Sequence, residues 1–183
     1  SSEQRIPILM TMNTNFEILT ETELPTHCTS EPMEICWKAD GTLLAISSVD
    51  PVDISIDKGC KRRTIRFYSS ETLEMKCTGR TEDGSGKILT NILSLPDERG
   101  EIGTHTLAWG GSEVSELLAC VRRKSKKSRD IIFLEPNGLQ HGNFNLKQFV
   151  IGDEVIGLTF NNPSDLLAVT LRNKDTHSRG DRV

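Results

Sequence analysis

The sequence lacks the long apolar runs and long amphipathic stripes that several protein classes require. Among its 183 residues, no apolar run approaches the ~20 residues that a membrane-spanning helix needs. No window of a dozen residues repeats its apolar positions with the helical period of 3.6. The first ten residues, SSEQRIPILM, show no charged leader followed by an apolar core, so they predict no secretory signal. We therefore expect neither a membrane protein nor a mainly helical one.

The motifs of metal, phosphate and hydrolase sites are missing as well. The five cysteines form no Cys-x-x-Cys pair and have no histidine at zinc-ligand spacing. Asp50, Asp53 and Asp57 lack the spacing and the glycine of an EF-hand loop. The glycine-rich stretch at 79–86 is followed by neither Lys-Ser/Thr nor a helix, as a phosphate-binding loop would be. We expect no metal, no cofactor and no catalytic residue, and a reducing compartment for the thiols.

Positive charge is absent from one region and concentrated in another. No Lys or Arg lies between Ile6 and Trp37, and the net charge of −4 predicts no general affinity for nucleic acid. Three interpretations of the basic run at 122–129 stay open: a solvated loop, a contact to nucleic-acid phosphates, or a nuclear-import signal. No aromatic residue interrupts this run, so base stacking is not indicated. Its candidate contact residues are Arg122, Arg123, Lys124, Lys126, Lys127 and Arg129.

The most informative pattern present is a unit that returns three times. It reads ICWKADGTLLAIS at 35–47, LAWGGSEVSELLACV at 107–121 and LTFNNPSDLLAVTL at 158–171. In each, an aromatic residue (Trp37, Trp109 or Phe160) ends a short apolar strand, and a polar turn leads to Leu-Leu-Ala. A two-strand unit that recurs between further strands is typical of a β-propeller. We expect both tryptophans to be buried anchors between blades because of their large apolar area.

Short apolar runs bounded by Gly, Pro, Asn, Asp and Ser predict strands and turns. The runs at 43–46, 131–134 and 166–169 are apolar on both faces and need cover on both sides. Stacked blades give that cover, whereas an α/β sheet would need crossover helices of ~10 or more residues, and none is predicted between Ile35 and Thr78. Strands are expected near 8–11, 17–22, 33–38, 43–48, 64–69, 73–78, 104–109, 117–122, 130–135, 139–143, 155–160 and 166–171.

The clearest turn is Pro136-Asn137-Gly138. Proline cannot donate a hydrogen bond to a strand ladder, and Asn-Gly accepts the positive φ of a tight hairpin. The strands at 131–135 and 139–144 should therefore be antiparallel neighbours. His141 follows the turn so closely that we expect it to make a structural hydrogen bond rather than to serve acid–base chemistry.

The strand count sets the predicted fold class. Two strands precede the first unit, two blades have four strands each, and two strands remain. This predicts an all-β fold, a partial WD40-type β-propeller of about three blade-equivalents of four-stranded antiparallel sheet. Closed propellers have ~4–8 blades, so either the chain is a segment of a larger protein or an assembly completes the ring, and we favour the segment. Residues 1–183 would form one segment of a single propeller domain, with blade boundaries near 30, 103 and 152 and long loops at 50–59, 79–103 and 122–129. The stretch at 79–103 contains the apolar pairs Ile88-Leu89 and Ile92-Leu93, so packing of part of it stays open.

Several blocks resemble the largest subunit of the Elongator complex, the IKAP family. They are LMTMNTNFEILTETEL at 9–24, ICWKADGTLLAISSVDP at 35–51, KRRTIRFYSSETLE at 61–74, DIIFLEPNGLQHGNF at 130–144 and EVIGLTFNNPSDLLAV at 154–169, in the family's order. The strand–EPNGL–HG hairpin is the most specific of these motifs. A TQF-bearing stretch that the family carries before the first repeat is absent.

The resemblance implies the later blades of the family's first N-terminal propeller, within a scaffold and not an enzyme. The family's complex modifies the wobble uridine of certain tRNAs, and its chemistry belongs to a radical-SAM, acetyl-CoA-using subunit. The implied partners are that catalytic subunit and a WD40 subunit. Contact with tRNA would come through the assembled complex or the basic run, and dimerisation through regions outside this chain. The resemblance implies no membrane and a cytoplasmic location, with the nucleus as the alternative. A generic WD40-type protein-interaction platform remains the other hypothesis.

Overall fold

The computed structural model describes residues 6–25, 33–50, 62–82, 88–89, 92–93, 107–111, 116–125, 128–146, 154–161, 163 and 165–172. These residues form fifteen strands and no α-helix. The strands are β1 (Ile8–Met12), β2 (Ile18–Glu23), β3 (Glu34–Trp37), β4 (Leu43–Asp50), β5 (Arg62–Ser69), β6 (Met75–Thr78), β7 (Thr81–Glu82), β8 (Ile88–Leu89), β9 (Ile92–Leu93), β10 (Leu107–Trp109), β11 (Leu118–Ser125), β12 (Ser128–Leu134), β13 (Gln140–Asn145), β14 (Glu154–Phe160) and β15 (Leu167–Arg172).

All twelve predicted strands are confirmed, because each overlaps a strand of the structure. One predicted loop contains strands at the apolar pairs whose packing was left open, and another is wrong in part. The stretch at 79–103 contains the short strands β7, β8 and β9, and β9 pairs with the start of β5. The basic stretch at 122–129 is mostly strand, since β11 continues to Ser125 and β12 begins at Ser128. The predicted blade boundaries near 30, 103 and 152 fall outside the described residues.

The strands pair antiparallel into two larger sheets and two hairpins that flank them. The first sheet has the order β3-β4-β5-β6 with β9 on β5, and the second has the order β10-β11-β12-β13. The leading hairpin is β1–β2 and the trailing hairpin is β14–β15; β7 and β8 form a further small pair. Strand β10 contacts both β3 and β14. The first strands of successive sheets therefore lie side by side, as the inner strands of propeller blades do.

The three repeated units occupy equivalent positions in these sheets. Trp37 pairs with Leu44, Trp109 pairs with Leu118, and Phe160 pairs with Leu167. The aromatic residue thus closes the first strand of each unit opposite the same leucine of Leu-Leu-Ala. The repeat in sequence is a repeat in structure, which confirms the partial β-propeller.

The core lies between the sheets. One cluster joins the first sheet to the second and contains Ala45, Ile65, Phe67, Leu107, Trp109, Leu118, Cys120, Ile132 and Leu134. A second joins the leading hairpin to the first sheet, through Leu9, Leu24, Leu44, Ile46, Tyr68 and Leu73. A third joins the second sheet to the trailing hairpin, through Ala108, Ala119, Ile131, Leu146, Val155 and Leu158. Both faces of each larger sheet are covered, which explains the strands that are apolar on both sides.

The two tryptophans have different environments. Trp109 is 8% exposed and its ring meets the ring of Phe67 edge-on at a centroid distance of 5.5 Å, as predicted for a blade anchor. Trp37 is 50% exposed, so its predicted burial is wrong. The leading hairpin packs on β4, β5 and the turn after β5, and leaves the same face of β3 uncovered by the described residues.

Candidate interaction surfaces

The basic run forms a β-hairpin at the end of the second sheet. Its backbone pairs Arg123 with Arg129 and Ser125 with Ser128 across β11 and β12. Lys124 lies in β11 beside them, while Lys126 and Lys127 fall outside the described residues. Two arginines directly opposite each other in a ladder repel one another. The register thus places two basic residue types at directly opposed positions of this hairpin.

Arg122 differs from the rest of the run. Its Nη2 donates to Asp130 Oδ2 at 2.8 Å, and the other oxygen of this carboxylate accepts from Asn145 Nδ2 at 2.7 Å. Asp130 is fully buried, and Arg122, Asp130 and Asn145 lie on three neighbouring strands in direct register. A buried carboxylate needs such partners. Arg122 is therefore part of the sheet's internal ladder, and its place among the candidate nucleic-acid contacts stays a prediction.

In the first sheet and in the trailing hairpin, the register places residues of opposite charge at directly opposed positions. The register places Asp50 opposite Arg62 in the first sheet and Glu154 opposite Arg172 in the trailing hairpin. Opposite-charge pairs across strands are favourable. The pair Arg123 and Arg129 differs from these two pairs because its opposed residues carry like charge.

The turn between β12 and β13 has the predicted hairpin geometry. The Glu135 amide donates to the Leu139 carbonyl at 2.9 Å and the Gly138 amide to the Glu135 carbonyl at 2.8 Å. The Asn137 side chain accepts from the Leu139 amide at 2.8 Å, and Gly138 has a φ of 83°. His141 Nδ1 lies 3.3 Å from Glu135 Oε1, which confirms its structural hydrogen bond.

The same turn docks on the neighbouring sheet, a role that its local sequence does not show. The Gly138 carbonyl accepts from the Arg80 amide at 2.7 Å, and the Cys77 thiol lies 3.5 Å from the Pro136 carbonyl oxygen. A Cβ at Gly138 would lie 2.4 Å from the Thr78 carbonyl oxygen. We call this contact of the turn with residues 77–80 the inter-sheet latch. The glycine was visible in sequence as a turn residue, but its close approach to a strand about 60 residues away was not.

A cluster of ion pairs links the turn after β3 to a residue that precedes β11. Lys38 Nζ lies 2.6 Å from Asp40 Oδ2 and 3.3 Å from Glu116 Oε1. Lys38, together with two hydrogen bonds from Thr42, lowers the pKa of Asp40 to about 2. The hydrogen bond to Asp40 raises the pKa of Lys38 in turn. Since Lys38 follows β3 and Glu116 precedes β11, this cluster also links the first sheet to the second.

The described cysteines fit a packing role. Cys36, Cys77 and Cys120 are free thiols, and burial raises the pKa of Cys36 and of Cys77. Cys120 is buried and Cys36 packs against the cluster between the two sheets, as expected for small hydrophobic side chains. In the part of the chain that the structure describes, no group of His, Cys, Asp or Glu could hold a metal ion. No helix of that part is long and apolar enough to span a membrane.

Comparison with known proteins identifies the family. A family model described as the ELP1 first N-terminal beta-propeller matches residues 19–178. Elongator complex protein 1 of Saccharomyces cerevisiae is 30% identical over 151 residues, or 79% of this chain and 10% of that protein. Elongator complex protein 1 of Schizosaccharomyces pombe is 30% identical over 140 residues, or 76% of this chain and 9% of that protein. The chain thus spans about a tenth of the length of these curated relatives. It belongs to the family of the first N-terminal β-propeller of the largest Elongator subunit.

Proposed function

We propose that the chain is a non-catalytic scaffold, a propeller segment of the large subunit of an Elongator-type complex that modifies tRNA wobble uridines. The observation that carries the proposal is the match to the ELP1 first propeller over residues 19–178, together with the repeated sheets that the match requires. The scaffold would act in the cytoplasm, with the nucleus as the alternative. Its partners would be the catalytic subunit and a WD40 subunit of the complex.

The use of the titratable side chains supports a non-catalytic role. Asp130 holds Arg122 and Asn145 inside the second sheet, and His141 is paired with Glu135 at the hairpin turn. The raised pKa values of Cys36 and Cys77 reduce the thiolate fraction that a nucleophile would need. Asp130 and His141 thus each have a structural hydrogen-bond partner.

The scaffold proposal is tested with purified subunits. The 183-residue chain is mixed with the catalytic subunit and with the WD40 subunit, and complex formation is followed by analytical size exclusion. We expect co-elution with at least one of them. The same mixture made with an unrelated WD40 propeller should show no co-elution. If the folded chain joins none of the Elongator subunits, the scaffold proposal is wrong and the generic interaction platform is favoured.

A second candidate function is contact with tRNA phosphates through the basic hairpin. The like-charge pair Arg123 and Arg129 in the β11–β12 ladder favours it, because a bound polyanion would relieve their repulsion. Lys and Arg clusters that release counterions on binding give affinity that falls steeply with salt. The contact set is then the run without Arg122, namely Arg123, Lys124, Lys126, Lys127 and Arg129.

Neutralising those five residues to Gln should weaken tRNA binding and flatten its salt dependence. If each contacts one phosphate, the slope of log K against log salt concentration should fall by about 4. The matched control replaces five lysines elsewhere by Gln and gives the same net charge: Lys58, Lys61, Lys76, Lys87 and Lys147. Equal slopes for the two variants would exclude a specific contact at the hairpin.

A further inference from the structure

The turn between β12 and β13 contains Asn137-Gly138, the only asparagine of the sequence that is followed by glycine. Such a pair is chemically labile, because glycine has no side chain to hinder attack of its backbone nitrogen on the preceding carboxamide. Asn137 is exposed to water, while Gly138 is buried in the inter-sheet latch. The turn therefore combines two groups that can react with each other and a contact that joins two sheets.

The reaction needs only water besides these two residues. The Gly138 nitrogen attacks Cγ of Asn137, and the new C–N bond closes a succinimide ring. Nδ2 of Asn137 leaves as ammonia and takes the proton of the Gly138 amide. Water then opens either imide C–N bond, so the product is aspartate, or isoaspartate whose backbone runs through the former side chain and is one carbon longer. No oxidant or reductant is consumed.

The folded turn restrains both reacting groups by hydrogen bonds. The Gly138 amide, which is the nucleophile, donates to the Glu135 carbonyl at 2.8 Å. The Asn137 carboxamide accepts from the Leu139 amide at 2.8 Å and donates to Glu135 Oε2 at 3.1 Å. The Gly138 carbonyl accepts from the Arg80 amide at 2.7 Å. Attack requires the Asn137 side chain to rotate and the Gly138 nitrogen to be released, so it requires local opening of the inter-sheet latch.

The products do not fit the closed latch. The Asn137 amide group donates to a carboxylate oxygen of Glu135, and a carboxylate in its place would repel Glu135 at the same short distance. Isoaspartate would also lengthen the backbone just before Gly138. A single added Cβ at Gly138 would already lie 2.4 Å from the Thr78 carbonyl oxygen, so the contact has no space for a further carbon. The reaction therefore prevents the latch from closing again.

We propose that Asn137 is a site of spontaneous deamidation, that it reacts only while the inter-sheet latch is open, and that its reaction keeps the latch open. When opening and closing are fast compared with the reaction, the rate follows the fraction of molecules with an open latch. Each event converts a transient opening into a permanent loss of contact between the first and second sheets. The inference is independent of the scaffold and tRNA proposals, because it uses only contacts within the chain.

Matched variants of Arg80 test the dependence on opening. Arg80→Pro removes the backbone N–H that donates to Gly138, whereas Arg80→Ala keeps it, and circular dichroism checks that both fold. Peptide mass spectrometry follows deamidation of Asn137 at neutral pH, and isoaspartyl methyltransferase labels the isoaspartate. We expect the folded native chain to react at least ~10-fold more slowly than the same chain unfolded in urea. Arg80→Pro should react at least ~3-fold faster than Arg80→Ala, because it lacks one hydrogen bond of the closed latch.

Asn137→Asp imitates one product, and Asn143→Asp is its matched control. Asn143 is exposed on β13 opposite Ile132, outside the turn. Amide exchange at Arg80 should be at least ~3-fold faster in Asn137→Asp than in the control, because the latch is weakened.

Three results would each overturn the proposal. They are equal deamidation rates in the folded and the urea-unfolded chain, equal rates in the two folded Arg80 variants, and equal exchange at Arg80 in the two aspartate variants. If Arg80→Pro does not fold, the comparison with urea and the aspartate variants decide.

Discussion

At the scale of single residues, the same residue type has different roles because its neighbours differ. Trp37 and Trp109 end equivalent strands opposite equivalent leucines. Within the described part of the chain, Trp109 has an adjoining sheet with Phe67 at its ring edge, and Trp37 does not. Arg122 likewise belongs to a basic run, but the buried carboxylate of Asp130 binds it.

Replacing Trp109 by Ala should lower the free energy of unfolding by ~3–5 kcal/mol, because removing a large buried aromatic side chain leaves a cavity. Trp37→Ala should cost less than ~1.5 kcal/mol, since half of this side chain is already in water and exposed substitutions have small effects. Both costs are measured by urea unfolding. A cost below ~1 kcal/mol for Trp109→Ala would contradict its role as the anchor between the sheets.

The carboxylate of Asp40 makes stability depend on acid pH. Its pKa is about 2 in the folded chain, against an ordinary 3.8, so the folded state favours the charged form. The resulting stabilisation is fully present above pH ~4 and is lost as the pH falls through ~2. The urea concentration at the midpoint of unfolding should therefore differ less between pH 5 and pH 2 in Asp40→Asn than in the native sequence. An unchanged difference would show that the ion pair with Lys38 contributes nothing to stability.

At the scale of elements, turns carry contacts that strands alone would not make. The β12–β13 turn hydrogen-bonds to Arg80 and approaches Thr78 within the distance that only glycine permits. The EPNGL block, the most specific motif of the resemblance, is thereby both a hairpin turn and the inter-sheet latch. The turn needs glycine at position 138 because of its positive φ. The inter-sheet latch needs glycine there as well, because a Cβ would collide with the Thr78 carbonyl oxygen.

Gly138→Ala tests the latch, and Gly41→Ala is its matched control. Both glycines have positive φ, 83° and 73°, and an alanine in that region costs ~1–2 kcal/mol. At Gly41 nothing lies within 4 Å of the added Cβ, whereas at Gly138 the Thr78 carbonyl oxygen lies 2.4 Å away. We expect Gly138→Ala to cost at least ~1 kcal/mol more than the control and to speed amide exchange at Arg80. Equal costs would mean that the turn moves away freely.

At the scale of the whole molecule, stability should follow the number of neighbours that each sheet has. Among the described residues, the first and second sheets are covered on both faces, while the leading hairpin is covered on one. Repeat architectures gain stability from such interfaces between neighbouring units. The leading hairpin of this chain should therefore be less stable than the two larger sheets.

Hydrogen exchange in dilute solution should show this gradient. The central strands β4, β5, β11 and β12 are each paired along both edges, so their amides should exchange slowest. Those of β1 and β2 should exchange at least ~10-fold faster, because local opening exposes them first. Equal protection of the leading hairpin and β11 would contradict the gradient.

Local patterns along the chain were sufficient to predict the twelve strands, the 136–138 turn and the repeated unit. Strand periodicity, turn chemistry and glycine conformation depend on residues that are close in sequence, so they can be predicted without a structure. Tertiary packing alone decided that Trp37 is half-exposed, that Arg122 binds Asp130, and that the Gly138 turn reaches Thr78. These outcomes depend on which sheet faces which, and on distances between residues far apart in the chain, because burial and ion pairing are properties of neighbours in space.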